Sequence, residues 1–161
     1  MDTSISRHMR AHPAIVFHLA AAVEDWPRIL PHYQWVRVLA SHPDGRRVVA
    51  MAARRDVCPG LAIPLRWTAI QSIDERAHRI EFEHVHGITR GMQVAWTMEP
   101  SEETLLVQIR HVFAPRWAVP DALVRLIVGE YFVNGVAART LRHIGDLAEA
   151  QAVVAGRAKQ P

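Results

Sequence analysis

Alternation with a period of two dominates the middle of the chain. Between Leu61 and Ile73, the odd positions Leu61, Ile63, Leu65, Trp67, Ala69, Gln71 and Ile73 face one way, and Arg66, Thr68 and Ser72 face the other. Arg79 to His86 sets Ile80, Phe82, His84 and His86 against Arg79, Glu81 and Glu83. Met92 to Met98 puts Met92, Val94, Trp96 and Met98 on one side, and Thr104 to Phe113 does the same with Leu105, Val107, Ile109, His111 and Phe113. This pattern predicts strands with one covered and one wet face. Tyr33 to Ala40 and Arg46 to Arg54 are two further strands, and Pro43-Asp44-Gly45 between them has hairpin chemistry. Thr3 to Met9 adds a short first strand. Short turns between consecutive strands predict an antiparallel meander.

The period lengthens at two places. After His12-Pro13, the residues Val16, Leu19, Ala20 and Val23 form a helical stripe, and a second short helix runs from Pro27 to Leu30, ended by Pro31. From Pro120 to Ala150, Leu126, Val133, Ala137, Ile144 and Leu147 recur at helical spacing, while Arg125, Arg139, Arg142, His143 and Asp146 take the opposite arc. At about 1.5 Å per residue this is a rod of roughly 45 Å, too long for a small bundle, and it needs a broad apolar surface. The expected fold is α+β: a curved antiparallel sheet of about seven strands wrapped around a long C-terminal helix, with two short helices after the first strand. Residues 1–150 form one domain and residues 151–161 a flexible tail. That helix is expected to be the element that covers the inner face, and space left beneath it is where a ligand would sit.

Composition narrows the function. A chain of 161 residues with net charge +3 from 19 basic and 16 acidic residues has no basic stripe, so no nucleic-acid partner is expected. No apolar run approaches a membrane span, and MDTSISRHMR lacks the apolar stretch of a signal peptide. The lone Cys58 cannot make an internal disulfide, and the expected location is the cytoplasm. Ten histidines show no zinc-type spacing. No nucleophile elbow, phosphate loop or dinucleotide fingerprint is present.

The inward faces taken together supply the candidate site: Trp67, Ala69, Gln71, His84, His86, Trp96, Met98 and His111, with Glu130 and Asn134 from the helix. Large aromatics with a few polar tips suit a flat or greasy ligand, although Trp67 and Trp96 equally suit ordinary packing. His111 reads either as a satisfied core histidine or as a proton carrier. His84 and His86 lie i, i+2 on one strand face, but no third ligand is visible, so neither a metal nor a cofactor is expected. Glu130 and Asn134 fall in or beside the apolar arc of the helix, either wet at a rim or facing a cavity. Val124, Val128, Tyr131 and Phe132 in the first half of the helix are candidates for a homodimer contact.

Several strings give the chain a resemblance. Asp25-Trp26-Pro27 followed by Leu30-Pro31-His32-Tyr33, then Arg66-Trp67-Thr68, Val94-Ala95-Trp96, and Tyr131-Phe132-Val133-Asn134 leading to Arg139-Thr140-Leu141 resemble the START-like, helix-grip superfamily, and within it the polyketide cyclase/dehydrase group. The resemblance spans Thr3 to Glu149 and specifies fold better than activity. Aromatase/cyclases of this type carry a cavity Trp and Tyr seven apart, which Trp26 and Tyr33 match. They also carry a Trp-x-Ser-x-Arg strand, where this chain keeps Trp67 but has Ala69 and Gln71; Trp96 matches a later cavity Trp. Gln71 lacks the charge and donor fork of arginine but can still hydrogen-bond a ketone or quinone oxygen.

The resemblance implies binding of a hydrophobic aromatic or polyketide-like molecule. Trp26, Tyr33, Trp67 and Trp96 would form walls, and Gln71 and His111 would address oxygens. Aldol-type cyclase or dehydratase chemistry would use Tyr33 or His111 as proton carriers. The alternative is a lipid or quinone carrier without chemistry.

Overall fold

The computed structural model describes residues 1–58, 60–113 and 135–157. Seven strands form one antiparallel sheet in the order β1-β7-β6-β5-β4-β3-β2. They are β1 (Asp2–Met9), β2 (Tyr33–Ser41), β3 (Arg47–Cys58), β4 (Leu61–Asp74), β5 (Arg79–Gly87), β6 (Met92–Ser101) and β7 (Thr104–Phe113). Helix α1 (Pro13–Ala21), a 3-10 turn (Val23–Asp25) and α2 (Trp26–Ile29) connect β1 to β2. Helix α3 (Ala138–Arg157) closes the chain. The β2–β3 turn forms where Pro43-Asp44-Gly45 predicts it: Gly45 takes φ +86° and its N–H donates to the His42 carbonyl at 3.0 Å.

The core is the inner face of the sheet. Met92, Val94, Trp96 and Met98 of β6 and Leu105, Val107, Ile109, His111 and Phe113 of β7 are all buried, as their alternation predicts. Burying each large apolar side chain contributes about 1.5–3 kcal/mol, enough to hold register wherever one face is covered. The cover is shared rather than left to the C-terminal helix. Val16 and Ala20 of α1 and Trp26 at the start of α2 are buried in the same cluster as Leu141, Ile144 and Ala148 of α3.

Arg7 of β1 ties α3 to the sheet. Its guanidinium donates to the Arg142 carbonyl at 2.7 Å, to Asp146 at 2.8 Å and to Glu149 at 2.9 Å. Gly145 leaves room for this, since a Cβ there would meet the guanidinium at 2.7 Å.

Two expectations about the C-terminal segment need comment. The helix does not end at Ala150 but continues to Arg157, because Gln151 to Ala155 contains no helix breaker. The first half of the predicted rod, with Glu130, Asn134 and the candidate dimer residues, lies outside the described residues.

Candidate ligand cavity

Between the sheet, α2 and α3 lies a cavity of about 30 Å³. That is the volume of two or three water-sized spheres. Trp26, Tyr33, Trp67 and Trp96 are four of its walls; His84 and His111 put imidazoles into it; Val136, Ala137 and Thr140 face it from the last segment. Met51, Phe82, Val94 and Ile109 complete the described lining. No Asp, Glu, Lys or Arg lines it among the described residues.

The rings touch one another in sequence. Trp26 and Tyr33 meet edge-on at 4.9 Å between centroids, Tyr33 meets Trp67 at 6.0 Å, and Trp67 stacks on His84 at 5.9 Å and 13°. Trp26 also faces Trp96 at 6.3 Å. Such pairs fix ring orientation as well as burying area. The Trp26 indole N–H donates to the Leu19 carbonyl at 3.0 Å, so this ring offers the cavity surface rather than a donor.

Burial sets the electrostatics. Desolvation, with His111 nearby, pushes His84 down to about 3, and desolvation pushes His111 down to about 4. Both are therefore neutral imidazoles near pH 7. Burial raises the Tyr33 phenol above its ordinary range and keeps it protonated; a hydrogen bond with Thr140 opposes this in part. The cavity thus offers hydrogen bonds in an apolar setting and no charge from its described lining.

Of the residues singled out in the sequence, Trp26, Tyr33, Trp67, His84, Trp96 and His111 come together here. Ala69 and Met98 are buried on the same face but do not line the space. Gln71 does not address it. Its Oε1 accepts from Arg47 Nη2 at 2.7 Å and Nε at 3.1 Å, and its Nε2 donates to the Ala21 carbonyl at 3.0 Å. Arg47 also bonds Ala21 and Glu24, so this node fastens β3 and β4 to the end of α1. Arg47 is the direct cross-strand partner of Gln71.

His86 is exposed on the outer face, not the inner one. The reason is a β-bulge: Thr68 pairs with His86 but Ala69 pairs with His84, so Val85 is an extra residue in β5. One inserted residue reverses the alternation. Gly87 follows at φ +96°, where a Cβ would lie 2.5 Å from the Arg66 carbonyl oxygen. Among the described residues no three His, Cys, Asp or Glu side chains gather as a metal site.

The lining that escaped sequence reading falls into two groups. Phe82, Val94 and Ile109 share the predicted inner faces, but apolar type alone does not separate wall from filler, and Met51 lies on a strand for which no face was predicted. Val136 and Thr140 gave no periodic signal, and His32, which is not part of the lining, meets Thr140. His32 is buried, and its Nε2 lies 2.9 Å from the Thr140 hydroxyl. Thr140 in turn donates to the Val136 carbonyl at 3.0 Å, within the π turn of residues 135–137 that leads into α3. Single π turns are frequent beside functional sites.

Solved structures share this architecture. A Thermus thermophilus protein aligns at TM-score 0.74 and 20% identity, over 94% of this chain and 99% of its own. The Zhui aromatase/cyclase of Streptomyces sp. R1128 aligns at TM-score 0.72 and 16% identity, over 92% and 93%. A START superfamily protein of Mycobacterium smegmatis aligns at 0.62 and 16%, over 94% and 96%. At these identities the likeness establishes the helix-grip fold alone. Comparison of the sequence with curated proteins finds no match. No helix among the described residues is long and apolar enough to cross a membrane. The family model described as polyketide cyclase/dehydrase and lipid transport matches residues 9–138, which take in most of the sheet and the π-turn residues 135–137, and the chain belongs to that family.

Proposed function

We propose that the cavity takes up one flat, apolar, oxygen-bearing molecule, aromatic or polyketide-like, and binds it by ring contact and neutral hydrogen bonds. The observation that carries this reading is the lining itself: aromatic walls with uncharged imidazole, phenol and hydroxyl tips. Pockets for drug-sized ligands span roughly 300–1,000 Å³, at least ten times the space present. Binding is therefore coupled to outward movement of wall side chains, with unbranched Met51 the easiest to displace. A single cysteine suits residence in a reducing cytoplasm.

The alternative is aldol-type cyclisation or dehydration in the same space. Tyr33 and His111 converge on the cavity, and Zhui, a fold neighbour, is an aromatase/cyclase. Held neutral, His111 is suited to accept or relay a proton and unsuited to act as a standing acid. A lipid or quinone carrier is the form of the binding reading without turnover.

Titration with 1-naphthol, followed by tryptophan fluorescence and by mass spectrometry of the recovered ligand, tests both. Saturable quenching that is lost on Trp67→Leu, with ligand recovered unchanged, is the expected result. No quenching at millimolar ligand would overturn the binding reading. Turnover of an aromatic poly-ketone mimic to a new chromophore would instead establish the alternative.

A further inference from the structure

We infer that Thr89 is a positioning residue that holds His84 in the tautomer protonated at Nε2, so that this imidazole offers the cavity an N–H donor, and that the cavity therefore favours a ligand with a carbonyl oxygen over one of the same shape without it. This inference rests on the binding reading above and adds its hydrogen-bond polarity.

The turn between β5 and β6 brings the two residues together. Gly87 and Gly91 bracket it at φ +96° and +90°. Three main-chain bonds close it: the Arg90 N–H donates to the Gly87 carbonyl at 3.1 Å, the Gly91 N–H to the His84 carbonyl at 2.8 Å, and the Met92 N–H to the Thr89 carbonyl at 2.9 Å. Held this way, the chain returns Thr89 to the side of His84, and the threonine hydroxyl oxygen lies 2.6 Å from His84 Nδ1. Both residues are buried, at 2% and 3% exposure. The stacked Trp67 ring fixes the plane of the imidazole.

Counting hydrogens settles which partner donates. A threonine hydroxyl has one hydrogen, and a neutral imidazole has one N–H and one bare nitrogen. Among the described residues, His84 Nδ1 is the only hydrogen-bond partner of the Thr89 hydroxyl. If Nδ1 carried the ring proton, it would donate to the threonine oxygen and leave the threonine hydrogen buried with no acceptor, an arrangement folded chains avoid. If Nδ1 is bare, the hydroxyl donates to it and nothing is stranded. Desolvation, chiefly, keeps the ring neutral by lowering its pKa to about 3, so it holds a single proton near pH 7, and that proton sits on Nε2. Nε2 is the other hydrogen-bonding atom of a ring that lines the cavity. What His84 offers a ligand is thus a donor, which complements a ketone or quinone oxygen. Thr89 is not part of the lining, so it acts through His84.

Two measurements test it. Long-range proton–nitrogen NMR correlation near pH 7 separates a protonated imidazole nitrogen from a bare one, and His84 should show a bare Nδ1 and a protonated Nε2. A protonated Nδ1 would overturn the inference whatever the ligands do. The second measurement compares 2-acetylnaphthalene with 2-isopropenylnaphthalene, which place C=O and C=CH2 at the same point of the same ring system. Wild-type protein should bind the ketone about tenfold more tightly by tryptophan quenching. Thr89→Val, nearly the same shape, removes the hydroxyl that fixes the tautomer and should lower that preference about threefold or more, and Thr89→Ser should restore it. Equal wild-type affinities for the two ligands, or a folded Thr89→Val that keeps the full preference, would overturn the inference and leave the binding reading standing. Binding of neither ligand would sink that reading and the selectivity with it. The wild-type spectrum and the wild-type affinities need no variant, so a misfolded Thr89→Val leaves both decisive.

Discussion

Gln71 and His111 are equally inaccessible, each at 0% exposure on the inner face of one sheet, yet they belong to different regions. Around Gln71 the polar atoms face one another: guanidinium, carboxamide, carbonyl and carboxylate close a node between Arg47, Ala21 and Glu24. His111 instead lines the cavity, together with His84, Tyr33 and Thr140. Residue type and burial are alike in the two regions. What separates a strut from a site is where the donors and acceptors point. Gln71, which the resemblance places at a cavity-facing position, anchors an arginine from the neighbouring strand instead.

The largest effect that separates the regions is acid sensitivity, which belongs to the cavity side. His32, His84 and His111 are held at about 4, 3 and 4. An unfolded histidine protonates near 6.5, so below that pH the unfolded chain binds protons that the folded chain refuses. The stabilisation is complete above about pH 6.5. It declines by about 1.4 kcal/mol per pH unit for each histidine as pH falls toward the folded values. Urea midpoints should fall steeply between pH 6.5 and 4.5, and a flat profile would remove the contrast.

Next comes Gln71→Leu. It removes the acceptor of two Arg47 N–H groups and one of the two donors to the Ala21 carbonyl, while the Arg47 bonds to Ala21 and Glu24 remain, and should lower stability by about 1–3 kcal/mol. Affinity for 1-naphthol should not change. A loss of affinity at unchanged stability would return Gln71 to the site. The smallest effect is expected at the bulge. His86→Ala should alter stability by less than about 0.5 kcal/mol and leave binding intact, whereas His84→Ala should impair both. Equal consequences at the two positions, measured by denaturation and quenching, would contradict the outward placement of His86.

The strand ladder was legible because alternation reports burial directly, and β7 begins and ends where its pattern does, at Thr104 and Phe113. The bulge was not legible in the same way. Ile80, Phe82, His84 and His86 alternate without a break, and the insertion at Val85 exists only in the pairing with β4. Gly87, a glycine at the strand end, was its one trace, and a turn explains a glycine as well as a bulge does. The Gln71 node was hidden for a related reason: Arg47 is its neighbour through register, not through local spacing. Trp26 and Tyr33 could be placed through resemblance. Thr140 could not, because a threonine in a helix looks the same whether it bonds its own turn or a residue more than a hundred positions away.

The first strand has a consequence for how the molecule comes into being. Asp2 to Met9 pair with Val112 to Leu105, so the first strand of the sheet to be made must wait for the last. The main-chain ladder cannot be completed from the N-terminus onward. The chain closes its longest loop to seat its first segment, an entropic toll that favours slow folding. Until then β7 stands at the rim with a row of unsatisfied amides, and this is the interval in which a nascent chain of this design is most open to pairing with another copy.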